Sequence, residues 1–330
     1  MGPIPRRKEQ IAPGTPTLPF VRPVVDCAVG HGFHTDTGYA MTDTLAFTKM
    51  HGLGNDFMVV DAIGQSIDPD RVLTTERIRR WSDRHFGIGF DQLLVVERSR
   101  RRDMDFRYRI FNSDGGEVEQ CGNGARCFAR YVAERGLTDR RDIRVETAGG
   151  PIVLTLTDDG RVRVDMGRPH FDPEAIPFKP PVTETEPPFL LMLGARPAGI
   201  EQVRADVISM GNPHAVIQVD DVEAYPVAEV GRAIEAHPAF PRRVNAGFVE
   251  QVAPDHIRLR VFERGAGETL ACGTGACAAV AAGIRAGRLH SPCRVELRGG
   301  ELTVQWSGNE GEALFMTGPG AFVFDGSVPL

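Results

Sequence analysis

The chain of 330 residues is poor in cysteine and in lysine, and each shortage excludes a class of protein. Its six cysteines are too few for a disulfide scaffold, and no two have the Cys-x-x-Cys spacing of a structural zinc site. Of the three lysines, Lys8, Lys49 and Lys179, only Lys49 lies where it could hold a pyridoxal Schiff base. We therefore expect reduced thiols in the cytoplasm, and chemistry that needs neither metal nor cofactor.

Charge and hydropathy exclude two kinds of partner. With 38 basic and 44 acidic residues the net charge is −6, which argues against a nucleic-acid or anionic-membrane surface. No apolar run approaches the ~18 residues that a membrane helix needs. The hydrophobic share of 42% and the charged share of 25% are those of a globular protein, which excludes a mostly disordered chain and a coiled coil.

Residues 1–44 differ from the rest because they are rich in Pro and Gly and lack periodicity. No apolar stretch follows Arg6, Arg7 and Lys8, so the segment does not have the pattern of a signal peptide. We interpret it as a leader that is either disordered or wrongly assigned to the protein. In the second case translation starts at or near Met41.

An internal repeat is the most informative feature of the chain. The stretch 110–125 resembles the stretch 261–276 at an offset of 151, with Cys121-Gly-Asn-Gly matching Cys272-Gly-Thr-Gly. At the same offset, Gly136 and Gly287 end two helical patterns. Further matches upstream and downstream keep the same order, which indicates a duplicated unit of about 120–150 residues.

The repeat predicts a mixed α+β fold of two homologous, pseudo-symmetric lobes. Each lobe is expected to be a strand-rich, barrel-like sheet around one central helix, about Ala125–Arg135 and Ala276–Ala286. The predicted lobes cover residues 45–166 and 167–318, and a C-terminal strand within 319–330 joins the first lobe. The active site is expected in the cleft between the lobes.

Cys121 and Cys272 are the candidate catalytic pair. Each precedes a helix, and the N–H groups at a helix N-terminus can lower a thiol pKa and bind a carboxylate. Two thiols on opposite faces of one carbon could invert a stereocentre, one removing a proton and the other supplying one. A lone Cys at such a position is usually a small buried residue, but its recurrence in both halves weakens that interpretation. A thiol redox or metal-binding protein, or a non-catalytic pair of binding lobes, stays open on these residues alone.

The motifs together resemble the diaminopimelate epimerases, a family of cofactor-independent amino-acid isomerases. The resemblance covers nearly all of the chain after residue 44 and rests on these stretches: Lys49–Phe57, Gly89–Gln92, Phe111–Gly115, Cys121–Arg126, Gly211–His214, Val244-Asn245, Glu263–Thr269 and Ala271–Gly275. Gly-Asn-Gly after the first cysteine and Glu-Arg-Gly before the second favour this family over the proline racemases.

The resemblance implies a small-molecule substrate, with interconversion of LL- and meso-2,6-diaminopimelate for lysine and peptidoglycan precursors. It also implies a cytoplasmic homodimer without cofactor. It implies that Cys121 is the base toward the LL isomer and Cys272 the acid. The implied substrate-binding residues are Asn55, Gln92, Asn112, Gly122, Asn123, Asn212, Asn245, Glu263, Arg264, Gly273 and Thr274. His214 and Glu263 are expected to modulate the thiol pKa values. The alternative is another two-thiol amino-acid racemase on the same scaffold.

Overall fold

The computed structural model describes residues 44–118, 121–181, 186–194 and 196–330. The predicted leader and the proposed start at Met41 lie outside the described residues. Where the chain is described, no helix combines the length and the apolar character that crossing a membrane requires.

The first half of the described chain contains eight strands and three helices. The strands are β1 (Thr44–Gly52), β2 (Asn55–Asp61), β3 (Gln92–Arg98), β4 (Phe106–Asn112), β5 (Glu117–Val118), β6 (Asp142–Thr147), β7 (Gly150–Leu156) and β8 (Val162–Asp165). The helices are α1 (Pro69–Val72), α2 (Thr75–Ser82) and α3 (Gly122–Glu134).

The second half contains ten strands, two α-helices and a short 3-10 helix at Pro197–Gly199. Its strands are β9 (Phe189–Met192), β10 (Gln202–Ser209), β11 (Pro213–Gln218), β12 (Asn245–Ala253), β13 (His256–Glu263), β14 (Gly267–Thr269), β15 (Cys293–Leu297), β16 (Gly300–Gln305), β17 (Phe315–Gly318) and β18 (Ala321–Pro329). The helices are α4 (Val227–Glu235) and α5 (Gly273–Arg285). The strand-rich α+β class is therefore confirmed.

Strand pairing follows one scheme in both halves. In the first half, β2 runs parallel to β3, β3 antiparallel to β4, and β4 parallel to β6. In the second half, β11 likewise runs parallel to β12, β12 antiparallel to β13, and β13 parallel to β15. β18 pairs with β1, and β8 pairs with β17, so the sheet is continuous across the chain. The division into lobes at 45–166 and 167–318 stays a prediction.

Each long helix is enclosed by its own apolar core. Phe128 and Val132 of α3 pack in one cluster with Phe57 of β2, whereas Ala276 and Val280 of α5 belong to a second cluster. Ten of the 13 residues of α5 are buried, because its small side chains let the surrounding elements pack against it on all sides.

The ends of α3 and α5 confirm one prediction and correct another. Gly136 and Gly287 follow the two helices at φ +69°, a left-handed conformation that favours glycine and ends a helix. The predicted starts at Ala125 and Ala276 are three residues late, since Gly122 and Gly273 already open the first turns. The Gly-x-Gly residues therefore belong to the helices.

The expectation of one helix per lobe is incomplete, because α1, α2 and α4 lie outside the two central cores. In α2, Thr74 caps the N-terminus by accepting from the N–H of Arg77, and only Ile78 and Trp81 are buried. A helix this short carries too few apolar residues to establish a period of 3.6 residues.

Candidate active site

The two cysteines occupy the same structural position, at the N-caps of α3 and α5. Both have extended backbones, with φ −144° at Cys121 and φ −126° at Cys272. Their carbonyl groups accept the first helical hydrogen bonds, from Ala125 N at 2.8 Å and from Ala276 N at 2.9 Å. The unpaired N–H groups of each first turn therefore point toward the sulfur atoms and the space beside them.

The helix N-termini meet at Met316, a fully buried residue of β17. A Cβ at Gly122 would lie 3.1 Å from Met316 Cε, and one at Gly273 would lie 3.1 Å from Met316 Sδ. Glycine at both positions therefore lets the two helix ends approach the Met316 side chain closely. Both thiols line one cavity of about 660 Å³, so the fold brings the two cysteines to a single space.

Most of the predicted site residues line the cavity. Of the residues implied by the resemblance, it is lined by Asn55, Gln92, Asn112, Cys121, Gly122, Asn123, Asn212, Glu263, Arg264, Cys272, Gly273 and Thr274. Asn245 and His214 are not among the lining residues. Within the described chain, no group of three or more His, Cys, Asp or Glu side chains is placed to hold a metal ion.

Asn55 is held by Asp91, which the sequence analysis did not single out. Asp91 Oδ2 accepts from Asn55 Nδ2 at 2.9 Å, so the carbonyl end of the amide faces the cysteine, with Oδ1 3.8 Å from Cys121 Sγ. Asn123 Nδ2 also donates to that oxygen, at 3.2 Å. Arg84 donates to Asp91 Oδ1 at 2.7 Å. Asp91 thus fixes which end of the amide faces the thiol.

Arg84 and Asp91 both line the cavity, but only Asp91 lies in one of the sequence motifs. Asp91 lies within the Gly89–Gln92 motif, beside a predicted site residue, and that position was the signal available for it. Arg84 lies between α2 and β3, outside the stretches matched in the repeat. Its importance comes from a fork of two hydrogen bonds to Asp56, at 2.8 and 3.0 Å, which only the folded chain creates.

A chain of hydrogen bonds links His214 to Cys272. The ring Nε2 of His214 lies 3.0 Å from Asn212 Oδ1, and Asn212 Nδ2 donates to Thr274 Oγ1 at 3.3 Å. Thr274 Oγ1 in turn lies 3.5 Å from Cys272 Sγ. His214 is 1% exposed, and burial lowers its pKa to about 3, with a smaller contribution from the charge of Arg264. His214 is therefore neutral and reaches the thiol only through two other side chains.

Asn245 lies behind Arg264. It is 4% exposed, its Nδ2 donates to Pro213 O at 3.2 Å, and its Oδ1 accepts from the backbone N–H of Arg264 at 2.8 Å. These bonds hold the exposed Arg264 at the mouth of the cavity. Direct contact between Asn245 and a substrate stays a prediction.

Burial dominates the ionisation of both thiols. It raises the pKa of Cys121 above its ordinary value, although the N–H groups of Gly124 and Asn123 act in the opposite direction. Burial, followed by the charge and hydrogen bond of Glu263, raises the pKa of Cys272 well above its ordinary range. The expectation of lowered thiol pKa values is wrong for this state, because removing a thiolate from water costs more than the helix N–H groups return.

Comparison with known proteins agrees with this geometry. The sequence model of the family described as diaminopimelate epimerase matches residues 47–171 and 207–323. A diaminopimelate epimerase of Ralstonia nicotianae is 57% identical over 291 residues, covering 87% of this chain and 96% of that protein. One from Aromatoleum aromaticum is 59% identical over 285 residues, covering 86% and 99%.

Solved structures with lower identity share the fold. A hydroxyproline epimerase from Agrobacterium vitis has a TM-score of 0.61 at 18% identity, covering 87% of this chain and 93% of that chain. A Bacillus anthracis phenazine biosynthesis protein of the PhzF family has a TM-score of 0.64 at 18% identity, covering 87% and 100%.

The fold, the paired cysteines and these relatives define an isomerase of the racemase and epimerase class. The relatives identified by sequence are far more similar to this chain than the solved structures that share its fold. The chain belongs to the diaminopimelate epimerase family.

Proposed function

We propose that this protein interconverts LL- and meso-2,6-diaminopimelate by proton transfer between two thiols and one α-carbon. The observation that carries the proposal is that Cys121 and Cys272, each at the N-terminus of a buried helix, line the same cavity. Two equivalent acid–base groups that reach one space from two helices suit a reaction that exchanges a proton between the faces of a carbon.

The proton transfers balance without any further reactant. Toward the LL isomer, the Cys121 thiolate takes the α-proton, so that a C–H bond breaks and an S–H bond forms. The Cys272 thiol gives its proton to the opposite face, forming the new C–H bond and leaving a thiolate. The enzyme ends with its two protonation states exchanged, and the reverse reaction restores them.

The polar groups of the cavity suit a substrate with two zwitterionic ends. The backbone N–H groups of Gly122, Asn123, Gly273 and Thr274 lie in the first turns of α3 and α5, where they can bind the reacting carboxylate and stabilise charge developing beside it. Among the described residues, Gln92 Oε1 and Asn123 Oδ1 are buried acceptors without a hydrogen-bond donor. A substrate ammonium group would supply the missing donors.

The distal end of the substrate needs a second set of contacts. The exposed guanidinium of Arg264 can clamp a carboxylate through two parallel hydrogen bonds. Asn112 accepts from Gln92 Nε2 at 2.9 Å, which orients both amides at the cavity wall. Such a polar set discriminates against analogues that lack one of the charged groups.

Glu263 and His214 support the two ionisation states of Cys272 in different ways. The Glu263 carboxylate favours the protonated thiol, which suits an acid. Glu263 is itself held by Thr269 Oγ1 at 2.5 Å. The relay from His214 leaves the hydroxyl hydrogen of Thr274 free to donate to the sulfur, which would stabilise the thiolate formed after proton transfer.

The chemistry proposed here requires no pyridoxal phosphate. The ammonium of Lys49 lies 2.6 Å from Asp56 Oδ2 and contacts Gly89 O, and Lys49 is 8% exposed. Neither Lys49 nor Lys179 lines the cavity. A Schiff base would have to break the Lys49–Asp56 ion pair and form outside the space that holds the thiols.

We further propose that the protein is a cytoplasmic homodimer that serves lysine and peptidoglycan precursor synthesis. The reduced thiols and the family favour this setting. Val323 and Phe324 of β18 expose 56% and 49% of their surface, so this strand offers apolar area for a second copy.

Solvent deuterium incorporation tests the proposed chemistry. In heavy water without added cofactor, LL-diaminopimelate should give meso product with one deuterium at the inverted carbon, read by proton NMR and mass spectrometry. Cys121→Ala and Cys272→Ala should abolish turnover, and either serine variant should keep only weak activity. Cys277→Ala is the matched control, since Cys277 is buried in α5 away from the cavity. A fully active double alanine variant, or strict dependence on pyridoxal phosphate, would refute the mechanism.

The second candidate is another amino-acid racemase that uses the same two thiols. The fold neighbours include a hydroxyproline epimerase, so the scaffold alone does not choose the substrate. The polar cavity favours the longer diaminopimelate. A substrate panel containing proline, hydroxyproline, glutamate and diaminopimelate would decide, since only the last carries two zwitterionic ends.

A further inference from the structure

Arg126 is a buried cation without an acidic partner in the described part of the chain. Its side chain is fully buried on α3, and no carboxylate among the described residues forms an ion pair with it. Its Nε donates to Pro319 O at 2.9 Å and its Nη1 to Gly122 O at 3.3 Å, while Nη2 has no partner there. Burying a charge in this way is costly unless another group offsets it.

The surrounding backbone leaves space for this guanidinium. A Cβ at Gly52 would lie 3.2 Å from Arg126 Nη2, and a Cβ at Gly318 would lie 3.1 Å from Nε. Arg126 Nη1 also lies 3.8 Å from Met316 Sδ, the atom that packs beneath the N-termini of α3 and α5. The cation therefore lies directly under the floor of the cavity.

Arg126 has an uncharged equivalent in the second half of the repeat. At the offset of 151 that relates Cys121 to Cys272, the residue equivalent to Arg126 is Cys277, which has no fixed charge. The second half instead places the Glu263 carboxylate against Cys272. The buried cation thus interacts with Cys121, whereas Glu263 interacts with both thiols and is hydrogen-bonded to Cys272.

We propose that Arg126 is an electrostatic positioning residue that makes Cys121 the thiol that ionises first. The role rests on the proposed two-thiol function. The guanidinium favours the negative charge on Cys121, whereas Glu263 keeps the proton on Cys272, so the free enzyme is prepared with one base and one acid.

The groups around each thiol agree with this assignment. The charged or titratable groups that interact with Cys121 are Arg126 and Cys127 from α3, Tyr108 from β4 and Glu263 from β13. Arg126 is the one cation in that set. For Cys272 the charged group is Glu263, whose charge and hydrogen bond both raise the pKa of that thiol.

Alkylation with iodoacetamide across a pH series, read by peptide mass mapping, tests the proposal without requiring turnover. In the unaltered protein, Cys121 should reach half of its limiting rate at a lower pH than Cys272. In Arg126→Met the Cys121 midpoint should rise by about one pH unit, a tenfold loss of thiolate at neutral pH, and Arg126→Lys should move it much less.

Arg130→Met is the matched control, because Arg130 lies one turn later on α3 and binds Gly160 O. It should leave the midpoint unchanged. A folded Arg126→Met protein with an unchanged midpoint would overturn the proposal. If that variant does not fold, the unaltered protein decides, since ionisation of Cys272 before or together with Cys121 would overturn it too. Normal ordering in a protein that does not turn over diaminopimelate would refute only the proposed function.

Discussion

The close approach of Gly124 to Tyr108 gives a prediction that joins the Cys-Gly-Asn-Gly motif to activity. Gly124 lies in the first turn of α3, and a Cβ there would overlap Tyr108 Oη and lie 3.2 Å from Leu94 Cδ2. The Tyr108 ring is 2% exposed and packs against Phe128 with a centroid distance of 4.7 Å, so it has no room to retreat. Gly124→Ala must therefore displace the helix or the ring.

The expected cost follows from that overlap. Forcing an extra carbon into a packed core costs about 1–3 kcal/mol of the free energy of unfolding. The same displacement moves the N–H groups beside Cys121, and a misplacement of about 1 Å can reduce the rate about 100-fold. We expect Gly124→Ala to show both losses, measured by urea denaturation and by kcat/KM for diaminopimelate.

A second substitution separates this overlap from other causes. Tyr108 Oη has no hydrogen-bond partner among the described residues, so Tyr108→Phe should change stability by less than about 1 kcal/mol. In the double variant the missing hydroxyl makes room for the methyl group, and most of the stability and activity should return. If Gly124→Ala behaves like the parent protein, or if Tyr108→Phe restores nothing, the reasoning is wrong.

Two further predictions concern residues that act through their neighbours. Asp91→Ala should lower kcat/KM about tenfold by releasing the Asn55 amide, and it should have no further effect in an Asn55→Ala background; fully additive losses would contradict this role. His214 should make stability fall with acidity, because the unfolded chain binds a proton below about pH 6.5, whereas the folded pKa is about 3. The free energy of unfolding should therefore lose about 1.4 kcal/mol per pH unit from this group between about pH 6 and pH 4. In His214→Gln that part of the slope should be absent from urea titrations at about pH 4 and pH 6, and an unchanged slope would count against it.

Local and repeated sequence patterns predicted the candidate catalytic pair and the ends of the two central helices. The offset of 151 identified Cys121 and Cys272 as equivalent, and the strand pairing repeats in the same order in both halves. Gly136 and Gly287 predicted the two helix ends, because a left-handed residue after a helix is a local requirement that one residue type meets. A duplicated sequence preserves such signals directly.

Only the tertiary structure determined the contacts between residues distant in the chain and the pKa shifts caused by burial. Asp91 and Arg84 act on the cavity through hydrogen bonds to Asn55 and Asp56, and no spacing in the chain encodes those contacts. The sign of the thiol pKa shifts depended on burial, which outweighs the helix N-terminus. The sequence determined which residues are paired, since pairing is inherited along the chain. Only the fold determined which charges are removed from water and which groups meet them, because solvation is a property of the assembled volume.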